Sequence, residues 1–423
     1  MASRLSSCIR PNAGISAIVL LLVIVGGVSP VHAQQNATPA SPGPVFRRVA
    51  TYSTEGLFSN SVAVGDFNGD GKLDLVVTNQ CTADFFPGSC QNGFATVTAR
   101  SGNGDGTFGR ALNSSAGNGA AFSMVVGDFN HDGKPDLGVA SLCVNDLDFG
   151  LFGEVHGLVG NGDGTFDNLF VFSTFTPCPY SIAIGDFNLD GNLDLAVTFF
   201  CTDPPTCAVG AVAVFLGIGN GNFQDPVFYQ YGGGRPFLVA VGDFNGDGKP
   251  DLAVGDGFFG GPQTVTALLG NGDGTFQIGV PFPFSIPFVV GDFNGDGRSD
   301  LVGASGNNIA LLLGNEDGTF QPAITINASP GAFVAADFNG DRKLDLAVLR
   351  SEGITVLLGN GHGEYHAVRG GDGIASTISS PLAVAVGDFN NDGKPDLAVD
   401  DGSRVTVLLN VYRLSRHQTS ATH

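Results

Sequence analysis

The stretch GDFNGDGKLDL, residues 65–75, decides the architecture because it comes back, with small variations, six more times. Its first aspartate recurs at Asp66, Asp128, Asp186, Asp243, Asp292, Asp337 and Asp388, with spacings of 62, 58, 57, 49, 45 and 51 residues. Periods of this size mark propellers and solenoids. Each copy is entered by a short apolar piece such as SVAVGD, SIAIGD or LAVAVGD, and is left by another such as DLVVT, DLAVT or DLAVG. After a variable connection comes a third apolar piece (TALLGN, IALLLGN, ITVLLGN) and a glycine-rich turn. GNGDGTF closes that turn at Phe108, Phe166 and Phe276, with looser copies ending at Phe223, Phe320 and Tyr365. A fourth piece rich in aromatic and β-branched residues precedes the next unit. Four short strands per unit describe a propeller blade, whereas a solenoid repeat is usually shorter and has one or two strands.

The two ends of the repeat region complete each other. PVFRRVATYS, residues 44–53, reads as a fourth piece, and the last unit stops after its third, VTVLLN, residues 405–410. Pairing Phe46 to Tyr52 with Val405 to Leu409 would close the ring and cover two otherwise exposed edges. The expectation is a single all-β domain over 45–410: seven four-stranded blades, the last completed by the N-terminal strand.

Bulk composition agrees. Charged residues are 14% of the 423, and Gly occupies 64 positions, a balance suited to short strands and tight turns. The formal net charge of −21 argues against nucleic acid and anionic membrane surfaces as partners, since both need a basic patch. Much of that excess sits in the seven repeated loops, where divalent cations could neutralise it.

Arg4 and Arg10 precede the apolar run Ile15 to Val28, and Val31, His32 and Ala33 form a small-x-small site. This reads as a signal peptide, residues 1–33, cleaved after Ala33. The apolar run is shorter than the roughly 20 residues that span a bilayer, so neither an anchor nor membrane insertion is expected. Cys8 leaves with the peptide. Residues 34–44 read as a disordered lead and 411–423 as a disordered tail. Export to the extracellular space favours disulfides among Cys81, Cys90, Cys143, Cys178, Cys201 and Cys207, and no two of them stand in CxxC spacing.

The chemistry lies in the repeated acidic loop. Asp66, Asn68, Asp70 and Asp74 follow D-x-N-x-D-G-x-x-D, which sets side-chain oxygens at positions 1, 3, 5 and 9 and glycine at 6. That oxygen-only set suits a hard cation of the size of calcium. The bidentate Glu at 12 and the flanking helices of a helical calcium sensor are missing. The other copies are Asp128, Asn130, Asp132 and Asp136; Asp186, Asn188, Asp190 and Asp194; Asp243, Asn245, Asp247 and Asp251. They continue with Asp292, Asn294, Asp296 and Asp300; Asp337, Asn339, Asp341 and Asp345; and Asp388, Asn390, Asp392 and Asp396. One copy alone could be a metal-free Asx turn. Seven in register point to calcium. In the sixth, Arg342 replaces the glycine, so that site is expected to be weaker or empty.

GDFNGDGKLDL together with LLGNGDGTF resembles the FG-GAP/VCBS repeat family, which includes the propeller of integrin α chains. The resemblance covers about 45–410. It implies a seven-bladed propeller with calcium held in the hairpin between the first two strands of a blade. The family's Gly-Ala-Pro triplet is absent, and adhesion, sugar binding and roles beside catalytic modules all occur in it.

The recurring phenylalanines (Phe67, Phe129, Phe187, Phe244, Phe293, Phe338 and Phe389) are expected to pack between blades, and GNGDGTF to be a hairpin turn instead of a phosphate loop. The calcium loops and these turns should share one face of the ring. The cysteines fall on the other, with Cys81–Cys90, Cys201–Cys207 and Cys143–Cys178 as the expected pairs. The long loops of that face carry Asp84, Phe85, Phe86, Asp146, Asp148, Phe149, Phe152, Phe199 and Phe200, which are either ligand contacts or a disulfide-tied cap. The expected function is a binding or scaffold module for a glycan or extracellular protein. The alternative is a polysaccharide lyase or hydrolase, against which His131, His156, His362 and His366 show no recurring partner.

Overall fold

The computed structural model describes residues 43–82, 94–118, 120–146, 150–174, 179–199, 209–230, 234–256, 263–286, 288–370 and 381–411. Residues 1–42, over which the leader is expected, lie outside them.

Seven antiparallel sheets stand around a ring. Blade 1 is built from Gly56–Gly65, Asp74–Thr82, Phe94–Gly102 and Phe108–Asn118 in that spatial order. Blades 2 to 6 follow over 120–174, 179–229, 236–283, 288–326 and 332–369, and in blade 4 Phe282–Pro283 is a second short strand paired with the third strand, Thr264–Gly270. Blade 7 consists of Ala383–Gly387, Asp396–Asp400 and Arg404–Asn410, with Phe46–Ser53 as its outer strand. The register there runs from Phe46 opposite Asn410 to Tyr52 opposite Val405, so the ring closes as the complementary ends require. First strands of successive blades touch, and the seventh touches the first.

The first three strands are apolar on both faces because each blade is covered by two neighbours. Val62 and Val64 of blade 1 pack against blade 7, while Ala63 between them packs toward blade 2. Outer strands are half solvated, and in blades 3, 4 and 5 they shrink to three residues each.

The recurrent phenylalanines lie in the interfaces. At five junctions the GDFN ring meets the ring that closes the next blade's turn: Phe67 with Phe166 at 5.5 Å, Phe129 with Phe223 at 5.7 Å and Phe187 with Phe276 at 5.5 Å. Phe244 with Phe320 and Phe389 with Phe108 repeat the arrangement, edge to face. In blade 7 the N-terminal strand supplies the partner, Phe46, which meets Phe338 of blade 6. Such pairs add about 0.5–1.5 kcal/mol beyond the area they bury.

Three expectations about the opposite face change. Phe199 is fully buried, packed with Val125, Phe129 and Phe215 at the interface of blades 2 and 3. It ends a strand whose six residues are all buried, so its ring is core and does not face a ligand. Cys143, Asp146 and Phe152 are not in a loop: strand pairing continues to Asp146 opposite Gly150, with Val144 opposite Phe152, making a tall hairpin. Cys81 likewise sits in a strand, opposite Leu57. Asp84, Phe85, Phe86, Cys90, Asp148, Phe149, Cys178, Phe200, Cys201 and Cys207 lie outside the described residues, and with them each expected disulfide.

Candidate functional site

The seven acidic loops share one conformation, fixed by their own side chains. The Asp at position 1 accepts the N–H of position 5 on one oxygen and that of position 6 on the other: Asp70 N to Asp66 Oδ1 at 3.0 Å and Gly71 N to Asp66 Oδ2 at 2.8 Å. The position-5 N–H is shared with the Asn at 3, 2.9 Å from Asn68 Oδ1. Asp70 Oδ1 in turn accepts the N–H of Lys72 at 2.9 Å. The same four bonds recur in the loops that begin at Asp128, Asp186, Asp243, Asp292, Asp337 and Asp388.

Position 9 does something the spacing did not reveal. Asp74 is buried, accepting Phe67 N on Oδ2 at 2.9 Å and Gly102 N on Oδ1 at 2.7 Å. The other six aspartates at this position hold the corresponding pair of donors, so each ties its loop to the end of the third strand. Burial pushes them upward, to about 6 for Asp194, Asp251 and Asp300 and about 7 for Asp345 and Asp396. Two backbone donors oppose this, and the charges of positions 1 and 5 add to it. Among the described residues no group of three or more His, Cys, Asp or Glu is gathered tightly enough to hold a metal by those groups alone. The side chains at positions 1, 3 and 5 of each turn are two carboxylates and one carboxamide, all hard oxygens, with the third carboxylate committed to backbone donors behind them. That chemistry fits calcium. Lys72, Lys134, Lys249, Arg298 and Lys394 reach the position-5 carboxylate of their own loops at 2.5 to 3.8 Å. Partly exposed pairs of this kind contribute about 0–1 kcal/mol.

Positions 4 and 6 are both left-handed. Arg342 takes φ 68° where the other loops place glycine, and its N–H still reaches Asp337 Oδ2 at 2.7 Å. The sixth loop therefore keeps its shape at the cost of a strained residue. At position 4, where sequence reasoning looked for nothing, His131, Leu189 and Asn391 sit at φ 57°, 59° and 55°. His131 Nε2 lies 3.0 Å from Asn192 Oδ1 of the next blade's loop.

The loops are also knitted to the neighbouring turns, on one face as expected. Gly106 N donates to Phe389 O at 2.9 Å, Gly164 N to Phe67 O at 3.1 Å, and Gly221 N and Gly274 N to Phe129 O and Phe187 O at 2.9 Å. GNGDGTF is a hairpin turn: Asn103 N bonds Thr107 O, and Gly104 and Gly106 take the positive φ values it needs.

These repeats and their ring define a seven-bladed β-propeller with an acidic loop in the first hairpin of every blade. Its sequence matches the FG-GAP-like repeat over 199–254, 292–348 and 337–399 and the FG-GAP repeat over 58–80 and 236–275; the chain is an FG-GAP-repeat propeller. No curated protein matches it in sequence. Among solved structures it is similar to an Agrocybe aegerita lectin that recognises non-reducing terminal N-acetylglucosamine, at 17% identity and a TM-score of 0.54, covering 88% of this chain and 96% of that one. It also resembles the WD40 domain of Toxoplasma gondii coronin (11%, TM-score 0.57, 89% of each chain) and a Pseudomonas aeruginosa periplasmic gluconolactonase (15%, TM-score 0.50, 74% and 85%). At these identities the likeness concerns the fold.

Proposed function

We propose that the chain is an exported, calcium-stabilised propeller that binds a glycan or an extracellular protein on the face opposite the acidic loops. The observation that carries the calcium reading is the loop itself: seven turns of one shape, each drawing the side-chain oxygens of positions 1, 3 and 5 onto a single tight loop. In the first loop Asp66, Asn68 and Asp70 would hold the ion, with Asp74 behind them. When bound, calcium supplies the positive charge that offsets carboxylates otherwise repelling one another.

The binding reading is supported by how the recurring aspartates are used. Each accepts a backbone N–H of its own blade, which is scaffold work, and the ring they stiffen leaves the opposite face to present connecting segments. Export is supported by the basic and apolar leader, Arg4 to Ala33, and by the even cysteine count after it.

A glycan array and an extracellular-matrix protein panel, each run in calcium and in chelator, test this reading. Retention in calcium that is lost in chelator is the expected outcome. Retention of nothing in calcium, or breakdown of a bound polysaccharide, would overturn it.

A further inference from the structure

The junction of blades 7 and 1 is where the two chain ends close the ring, and it contains a carboxylate at a place where the other blades have none. Four residues after the position-9 aspartate the second strands carry Thr78, Ala140, Thr198, Gly255, Ala304 and Leu349, but blade 7 carries Asp400. Asp400 is fully buried. Its Oδ1 accepts two donors, Ser59 Oγ from blade 1 at 2.6 Å and Gly402 N at 3.1 Å, whereas Oδ2 is shielded from solvent and has no partner.

The blade 1 side of this contact is strained. In the segment Thr54 to Ser59, Glu55 and Phe58 stand at φ 57° and 55°, a region that side chains with a Cβ avoid. The Phe58 ring is half exposed on the face opposite the acidic loops. The segment is held to blade 7 by Ser59 N to Gly402 O at 3.0 Å, by Thr54 N to Ser403 O at 3.1 Å and by the Ser59 hydroxyl on Asp400.

We propose that the Asp400–Ser59 contact is a pH-operated latch on the ring seam, closed while the carboxyl is protonated and released as it ionises, freeing Thr54 to Ser59 and the Phe58 ring. A protonated carboxyl leaves little charge on Oδ2. An ionised one puts a share of a full charge on an oxygen without a donor, and that charge is relieved only by water entering between the two blades. Relief of the left-handed residues favours the same opening.

Burial pushes Asp400 up to about 7, against the pull of Ser59 Oγ and Gly402 N–H. Between the ordinary carboxylate value of 3.8 and that point the folded chain keeps a proton the unfolded chain has lost, so the seam weakens as pH rises through the window. The charged groups on the surrounding elements are already paired elsewhere. Arg404 reaches Asp401 at 3.3 Å, and Arg100 reaches Glu55 at 3.0 Å. Asp401 adds a small upward push.

Hydrogen exchange on the full chain, corrected for intrinsic rates, tests the latch. Peptides covering 54–62 and 400–405 should lose protection by roughly tenfold between about pH 5.5 and about pH 8.5, while 236–242 of blade 4 should not. Asp400→Asn should keep those peptides protected at both pH values. Ser59→Ala should show the alkaline level at both, which keeps the test decisive if the Asn variant does not fold. Unchanged wild-type protection across the range, or a change that Asp400→Asn retains, would overturn the proposal.

Discussion

The side-chain amide of Asn410 donates to the main-chain oxygen of Phe338 at 2.8 Å, across the junction of blades 6 and 7. At four other junctions this place is taken by a glycine N–H of the next blade's third-to-fourth turn, as when Gly164 meets Phe67. Blade 7 has no such turn because its outer strand comes from the other end of the chain, and the Asn side chain stands in for it. Asn410→Ala should therefore cost about 1–3 kcal/mol, since it leaves a buried carbonyl without a donor. Urea unfolding checks this, and an unchanged midpoint would show that the carbonyl finds another partner.

Phe67 and Phe166 form the edge-to-face contact of blades 1 and 2. Phe67→Ala should destabilise by about 3–5 kcal/mol, because the ring is buried between two sheets that cannot collapse onto the space it leaves. In a double-mutant cycle with Phe166→Ala, a coupling of about 0.5–1.5 kcal/mol is expected. Purely additive losses would mean the two rings are held independently.

Calcium should raise the melting temperature. An ion that binds the folded ring alone adds about 2.7 kcal/mol per site at a hundredfold excess over its Kd, and several sites sum. Identical melting in calcium and in chelator would reject the calcium reading. Asp66→Ala should lower the melting temperature in calcium more than Asp337→Ala. Arg342→Gly should stabilise the chain by about 1 kcal/mol, because it removes a Cβ from a left-handed position while the bond to Asp337 persists. A loss on that substitution would mean that the arginine side chain contributes something other than a backbone N–H.

His156 is buried with Nε2 2.9 Å from Glu154 Oε2, and its ring presses on Gly117 of blade 1, where a Cβ would collide with it. Burial holds its pKa below the ordinary 6.5 despite the opposing pull of Glu154. The folded chain therefore resists a proton that the unfolded chain accepts, so stability present above 6.5 declines as pH falls through the folded value. His156→Gln should flatten this acid limb of the stability profile. An acid limb of the same slope in that variant would assign it to other groups.

The sequence by itself determined the blade count, the ring closure, the packing role of the GDFN phenylalanines and the shared face of loops and turns. Each is written locally, in a repeat whose period and alternation any neighbour copies, so no long-range information is needed to read it. The tertiary structure alone decided what the ninth aspartate does. Asp74 and its counterparts look like ligands in a linear motif, but folding brings Gly102 N, 28 residues away, onto the carboxylate and buries it. Phe199 belongs to the same class: a loop aromatic by its position in the chain, it is core because blade 2 covers it. Asp400 also reads as an ordinary strand-end acid, and only the closing of blade 7 against blade 1 removes it from water and leaves one of its oxygens without a donor. Spacing along the chain records what lies within a hairpin, while burial and charge depend on which blade comes to rest beside it.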